Sequence, residues 1–428
     1  MLPVHSVTYL SGSDTRQGRR TRAVLSPEWE GASAKPKPDA ITLQHQSLIV
    51  QCSKPPYSVS WGAIRRCGMA QQKITFGGVD ILRFLAAVLV MVYHYGFWVW
   101  AYPDGISAQA TGGVPAQPDI GAWVGSGWVG VEIFFVISGF VIAFSAEKST
   151  PLRFFEARVK RLAPAVWICA PVTAVLLLAI GLSWPTDAVV RLVRTGLFVP
   201  YGPWVDSVYW TLGIEIAFYA IVWILLRLGR FDLMEAVAIV IGLVSTLFWC
   251  LYYPLGWADF AETRLLQLTL VHHGCFFAVG VLLWLIRFKA LTAPRLGFCL
   301  LFLGGGVLQI ASSVDVHSIK VNAVMPYAPP ILIFLVAIAL MAWSLRLDLS
   351  WSGWRRIGLM TYPLYLIHDV VGAAMLGAMV RAGMPYLLSM AVVGATMIAA
   401  SWLVATEAEP RIRLLLDHTV FRYRLKAA

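Results

Sequence analysis

The sequence predicts an all-α, polytopic membrane protein with about ten transmembrane helices and both termini in the cytoplasm. Three observations carry this. First, 58% of the 428 residues are hydrophobic and 13% are charged, where soluble domains carry about 25% charged residues; the mean hydropathy is +0.70. Second, apolar runs long enough to cross a hydrocarbon layer of about 30 Å recur along the chain. Third, lysines and arginines gather in alternate connections between those runs, as the positive-inside bias requires. The net charge of +11 therefore belongs to loops on one side of a lipid bilayer, and no nucleic-acid partner is expected. The 18 Trp and 15 Tyr suit the two membrane interfaces. The six Cys follow no metal spacing and no disulfide pattern, so no metal is expected.

Residues 1–72 are rich in Ser, Pro, Lys and Arg, with Arg16, Arg19, Arg20 and Arg22 clustered. They lack the charged and apolar regions of a secretory leader, and the composition predicts a disordered cytoplasmic segment. Met69 opens MAQQKITFGGVDILRF directly before the first apolar run. The expectation is that translation starts there and that residues 1–68 are an upstream extension. The membrane domain is read as 73–410, followed by a short basic tail, 411–428.

The apolar runs lie at roughly 79–100, 128–146, 163–182, 207–228, 233–252, 264–286, 296–313, 327–345, 357–380 and 385–406. The cation-rich connections hold Lys148 to Arg161, Arg227 and Arg230, Arg287 to Arg295, and Arg346 to Arg356. The opposite loops, 101–127 and 183–206, face outward, and 101–127 has neither Lys nor Arg. Arg191 and Arg194 break the pattern and are read as part of a re-entrant or interfacial segment. No internal repeat is evident, which weakens an inverted-repeat transporter.

Ionisable residues inside the runs are costly and mark function. Arg83 and His94 are eleven residues apart in the first run. At 100° per residue they fall on one helical face within about 20°, and about 16 Å apart along the axis. Arg158 and Arg161 are i,i+3 neighbours that make a fork for phosphate. Glu132 and Glu215 lie in runs that enter from the outside, with Tyr219 one turn beyond Glu215 and Trp210 at the outer rim. His368 and Asp369 fall near mid-membrane. His272 and His273 are read as structural. The pattern describes a path across the bilayer. Its inner mouth is cationic and suits a polyanion. Its outer mouth carries carboxylates and aromatics and suits a neutral, hydroxyl-rich ligand. A histidine with a pKa near 6.5 stands between them as a general base.

At these residues the chain resembles the acyltransferase 3 family of integral membrane O-acyltransferases. The resemblance rests on the R-x10-H of Arg83 and His94, on GVEIFFVISGF from Gly130 to Phe140, and on the R-x-x-R of Arg158 and Arg161. It is completed by W-T-L-x-x-E-x-x-F-Y from Trp210 to Tyr219 and by Y-L-I-H from Tyr365 to His368. It extends from about residue 76 to 410. It implies transfer of an acyl group, acetyl in many members, from cytoplasmic acyl-CoA to a carbohydrate hydroxyl at the cell (inner) membrane. The family's acceptors include exopolysaccharide, lipopolysaccharide, peptidoglycan and glycosylated metabolites. Acyl-CoA enters as a co-substrate, and no bound cofactor is implied. Carried over by position, His94 and Glu215 are catalytic, and Arg83, Arg158 and Arg161 hold acyl-CoA. Glu132, Trp210, Tyr219 and His368 bind the acceptor or complete a structural motif.

On this reading His94 deprotonates the acceptor hydroxyl and Glu215 orients His94 or the sugar; a covalent acyl-His relay fits the same residues. The chain is expected to be a stand-alone membrane module, without the hydrolase-like domain that follows the last span in some members. The competing reading is a polysaccharide or lipid-linked sugar transporter, which needs neither the aligned Arg and His nor acyl-CoA. Nothing in the sequence specifies an oligomeric state.

Overall fold

The computed structural model describes residues 76–255, 263–347 and 351–420. The basic N-terminal segment with Met69 lies outside the described residues. Every regular element among the described residues is helical. Ten apolar helices carry the fold: α1 Gly77–Ala101, α2 Gly130–Ala146, α3 Pro151–Ala179, α4 Trp210–Arg227 and α5 Met234–Leu255. They continue with α6 Gly274–Phe288, α7 Ala293–Val321, α8 Ala328–Ser344, α9 Ser352–Arg381 and α10 Tyr386–Leu403. Eight of these, with their extensions, are long and apolar enough to cross a membrane; α6 and α8 are shorter. The chain is a multi-pass, all-α membrane protein.

Two helices organise the packing. α6 is apolar all round, and each residue from Gly274 to Leu285 is buried, the signature of a helix enclosed on every side. It packs on α2, α5 and α7. Its closest approach is to α2, through Gly139 and Gly280. A Cβ at Gly139 would strike the Phe277 carbonyl, and one at Gly280 the Val136 carbonyl. Small residues thus let two backbones meet where no water drives association. The second hub is α9, which packs on α1, α3 and α10 and on the short helix Ile106–Thr111 of the 101–127 connection. Tyr95 ties α1 to it by donating to the His368 carbonyl at 2.7 Å. α1 contacts α2 and so joins the two halves of the bundle.

Three departures from regular helix bear on the site. α1 widens to a π-turn over His94–Trp98, a feature that frequently marks functional positions. α3 begins earlier than the apolar run. Thr150 caps it by accepting from the Arg153 N–H at 3.3 Å, so RFFEARVKRL forms its first turns rather than a separate connection. Pro164 inside α3 has no N–H for the Lys160 carbonyl. That carbonyl accepts instead from Arg413 Nε at 3.0 Å, which draws the helix Glu409–Thr419, beyond α10, against α3. Arg191 and Arg194 sit on a 12-residue amphipathic helix, Pro185–Gly196, that packs on α3. That geometry suits a helix lying in an interface.

Candidate active site

Two cavities lie inside the bundle. The first, about 370 Å³, is lined by Arg83, Arg158, Lys160, Arg161 and Arg413, with Glu215 as its carboxylate. α3 supplies three of the five cations because positions 158, 160 and 161 fall within one turn. Arg158 lies over the rings of Phe154 and Tyr219, at 5.2 and 5.4 Å from their centroids, and donates to Ser145 Oγ at 3.2 Å. Arg161 lies over Tyr362 at 5.2 Å. Aromatic faces thereby fix both guanidinium planes. Arg158 Nε and Arg161 Nη1 are buried and have no hydrogen-bond partner among the described residues. Glu215 accepts from Tyr219 at 2.5 Å and from Ser138 at 3.2 Å. Arg83 is paired with Asp80 at 3.3 Å.

The second cavity, about 390 Å³, is lined by His94, Glu132, His272, His273 and His317, together with Trp98, Trp128, Trp204 and Trp210. His94 stands against α9. Its Nδ1 lies 2.9 Å from the Val90 carbonyl and 3.0 Å from His368 Nε2. Its Nε2 lies 3.8 Å from Asp369 Oδ1. These contacts determine the tautomers. His368 Nδ1 faces two carbonyls, of Leu364 at 3.2 Å and Tyr365 at 3.0 Å. Carbonyls only accept, so that nitrogen carries the proton and His368 Nε2 accepts. His94 Nδ1 is then the donor to Val90 and His368, which turns His94 Nε2 towards Asp369.

The Asp369 carboxylate accepts from Ser207 Oγ at 3.1 Å. Asp206, next to Ser207, accepts from the Val208 N–H at 3.1 Å and the Val370 N–H at 3.2 Å. Burial pushes the Asp206 carboxyl well above the usual carboxylate range, and the Asp369 charge adds to the shift.

The cavities share two lining residues, Val131 and Tyr365. Tyr365 is one turn before His368 and donates to the Val208 carbonyl at 3.2 Å. Its ring contacts Phe134 and His368, with centroids 5.8 and 5.9 Å apart. It forms a partition directly beside the histidine pair.

A sequence model of the acyltransferase 3 family, described as an acyltransferase domain, matches residues 76–406. The chain belongs to that family. Among curated proteins it is similar to O-acetyltransferase OatA of Staphylococcus aureus, at 31% identity over 109 residues, covering 23% of this chain and 14% of the relative. It is also similar to Nodulation protein 10 of Rhizobium leguminosarum bv. viciae, at 29% identity over 176 residues, covering 35% of this chain and 44% of the relative. The chain thus matches less than half the length of either. No solved structure matches it.

In this acyltransferase 3 member the fold divides the residues singled out in the sequence between the cavities. Arg83, Arg158, Arg161, Glu215 and Tyr219 line the first. His94, Glu132 and Trp210 line the second, and His368 stands behind His94. Glu215 faces the arginines, and the carboxylate beside His94 is Asp369. The reason is local: Glu215 and Tyr219 are i,i+4 on α4 and pair with each other, while Asp369 is brought to His94 by α9. Sequence reasoning missed Asp206 and Arg413, which come from a loop and from the helix after α10. It also set His272 and His273 aside, although the fold places them in one cavity with Glu132. The adjacent acid in Y-L-I-H-D was the available signal for Asp369; nothing local distinguishes Arg413 from other tail cations.

Proposed function

We propose that this protein is a membrane O-acyltransferase that moves an acetyl group from acyl-CoA, held in the arginine cavity, to a carbohydrate hydroxyl held in the aromatic cavity. The observation that carries the reading is His94, its Nε2 turned to Asp369 at 3.8 Å, beside a partition between an arginine-rich chamber and a tryptophan-rich one. Unpaired N–H groups on Arg158 and Arg161 suit the phosphates of coenzyme A, and Arg413 and Lys160 add charge there. The acyl-thioester arm then runs along α1 from Arg83 towards His94. The positive-inside bias supports an arginine cavity on the cytoplasmic side of the cell (inner) membrane, where acyl-CoA is made, with both termini on that side. The aromatic cavity opens to the other side, where an exopolysaccharide, a lipopolysaccharide or another exported glycan is met.

In the reaction His94 Nε2 takes the proton of the acceptor hydroxyl as its oxygen bonds to the thioester carbonyl carbon. The imidazolium N–H so formed is stabilised by Asp369. Collapse of the tetrahedral intermediate breaks the C–S bond, and the leaving thiolate recovers the proton from His94. His368 and Val90 keep the ring in the tautomer that leaves Nε2 free.

The test is transfer of labelled acetyl-CoA by purified protein in liposomes, with a glycan extract as acceptor pool, for wild type and His94→Ala. Label entering carbohydrate with wild type alone supports the reading. Absence of both transfer and acetyl-CoA binding by wild type refutes it.

A further inference from the structure

The aromatic cavity is lined by buried polar atoms that no protein group among the described residues pairs. Four side chains lining it, Tyr93, Trp128, His273 and Gln309, each present a polar atom with no hydrogen-bond partner among the described residues: Tyr93 Oη, Trp128 Nε1, His273 Nε2 and Gln309 Oε1. Their relative exposures are 3%, 6%, 2% and 1%. Buried polar atoms are almost always paired, and one left unpaired is costly. These four come from separate elements. Tyr93 is on α1, Trp128 on the turn before α2, His273 caps α6 and Gln309 is on α7. Their neighbours orient them. The Gln309 amide nitrogen donates to Ser313 Oγ at 2.9 Å, leaving its carbonyl end unpaired. His273 Nδ1 lies 3.3 Å from His272 Nδ1, leaving Nε2.

We infer that Tyr93, Trp128, His273 and Gln309 are the hydrogen-bonding set that binds the hydroxyl-bearing ring of the acceptor. The donor and acceptor inventory suits hydroxyl groups. Trp128 Nε1 can only donate and Gln309 Oε1 can only accept, while the tyrosine hydroxyl does both. A hydroxyl-bearing ring satisfies all of them. Arg264, Lys320 and Glu132 also line the cavity, so its charges are of both signs. The same chamber offers flat apolar faces: the Trp128 and His317 rings stack at 4.7 Å and 15°, and Trp98 and Trp210 also line it. The inference rests on the proposed acyl transfer for the identity of the reaction, not for the existence of the site.

The test uses the full chain in detergent, labelled acetyl-CoA, and methyl glycosides of hexoses and N-acetylhexosamines as probes. Two readouts are taken on wild type, Tyr93→Phe, Gln309→Leu and Trp128→Phe: acceptor and donor KM, and the shift in melting temperature on adding glycoside without acetyl-CoA. The expected result is a rise in acceptor KM of roughly three- to tenfold per variant, the loss of one net hydrogen bond, with donor KM unchanged and the glycoside-induced shift reduced. Without ligand, Tyr93→Phe should melt no lower than wild type, because it deletes an unpaired hydroxyl; this separates binding from folding. Unchanged acceptor KM in all variants overturns the inference and leaves the acyl-transfer reading standing, as does a wild type that transfers acetyl to its glycan pool but neither binds nor labels any glycoside. A wild type that never uses acetyl-CoA, yet shows a glycoside shift lost in Tyr93→Phe, refutes the acyl-transfer reading and upholds the site.

Discussion

Replacing Asp369 by asparagine removes one charge at nearly constant shape. The Asn carbonyl can still accept from Ser207, which reaches the Asp369 carboxylate at 3.1 Å. The His94 ring keeps its orientation, because Val90 and His368 hold Nδ1 at 2.9 and 3.0 Å without help from Asp369. What disappears is the anion 3.8 Å from Nε2. At an effective dielectric of about 20, two unit charges at that separation attract by about 4 kcal/mol. That pair exists only once the proton has moved, so its loss falls on the transition state and lowers kcat by up to about 10³-fold. Both KM values should stay near wild type. The assay is acetyl transfer from labelled acetyl-CoA to glycan, with melting temperature as control. Stability should hold or rise, since the variant also removes a buried charge beside Asp206. A kcat within threefold of wild type would refute the pairing of Asp369 with His94.

Four further outcomes follow. His94→Ala should slow transfer by roughly 10²–10⁴-fold, the usual worth of a general base, while leaving acetyl-CoA affinity intact in a binding assay. Arg161→Ala and Arg413→Ala should each raise donor KM by roughly tenfold or more, as loss of a charge-assisted hydrogen bond does, with acceptor KM unmoved; equal donor KM would place the phosphates elsewhere. Tyr365→Ala opens the partition between the chambers, so acetyl-CoA hydrolysis should gain on glycan transfer, read as the ratio of free to glycan-bound label. Asp206 has a raised native pKa, so its stabilising contribution is full below the ordinary carboxylate pKa and is lost as pH rises through the raised value. Asp206→Asn should therefore flatten the alkaline loss of stability, measured as melting temperature against pH.

The ten helices were legible because a bilayer leaves the backbone little choice. Hydrocarbon requires internal hydrogen bonding, so each long apolar run must be helix. Even α6, shorter than most of the others, fell largely within an apolar run, 264–286. The site was legible where its residues share a helix: Arg83 with His94, Arg158 with Arg161, Glu215 with Tyr219. It was not legible where a partner arrives from elsewhere. Glu215 had the composition of an orienting carboxylate, but the helix that reaches His94 is α9, and inter-helix register is set by contacts such as Gly139 on Gly280 that no periodicity encodes. Arg413 was hidden for a similar reason. It is one cation of a basic tail until Pro164 leaves the Lys160 carbonyl without its helical donor.

The charge balance around His94 is itself an argument about catalysis. Ionised groups inside a membrane are costly, and the cluster restricts them. When His94 takes the neutral tautomer that its Nδ1 contacts allow, Asp369 is the carboxylate that faces it, and Ser207 donates to that carboxylate. Proton transfer from the acceptor hydroxyl to His94 Nε2 gives that charge a cationic partner within 3.8 Å. With Asp369 as the anion, the state before transfer lacks a cationic partner for it at His94, and the state reached during transfer carries an ion pair. An environment that disfavours the first and favours the second lowers the barrier without tightening the hold on substrate. A soluble enzyme must exclude water to create that contrast; here the bilayer and the packed helices supply it.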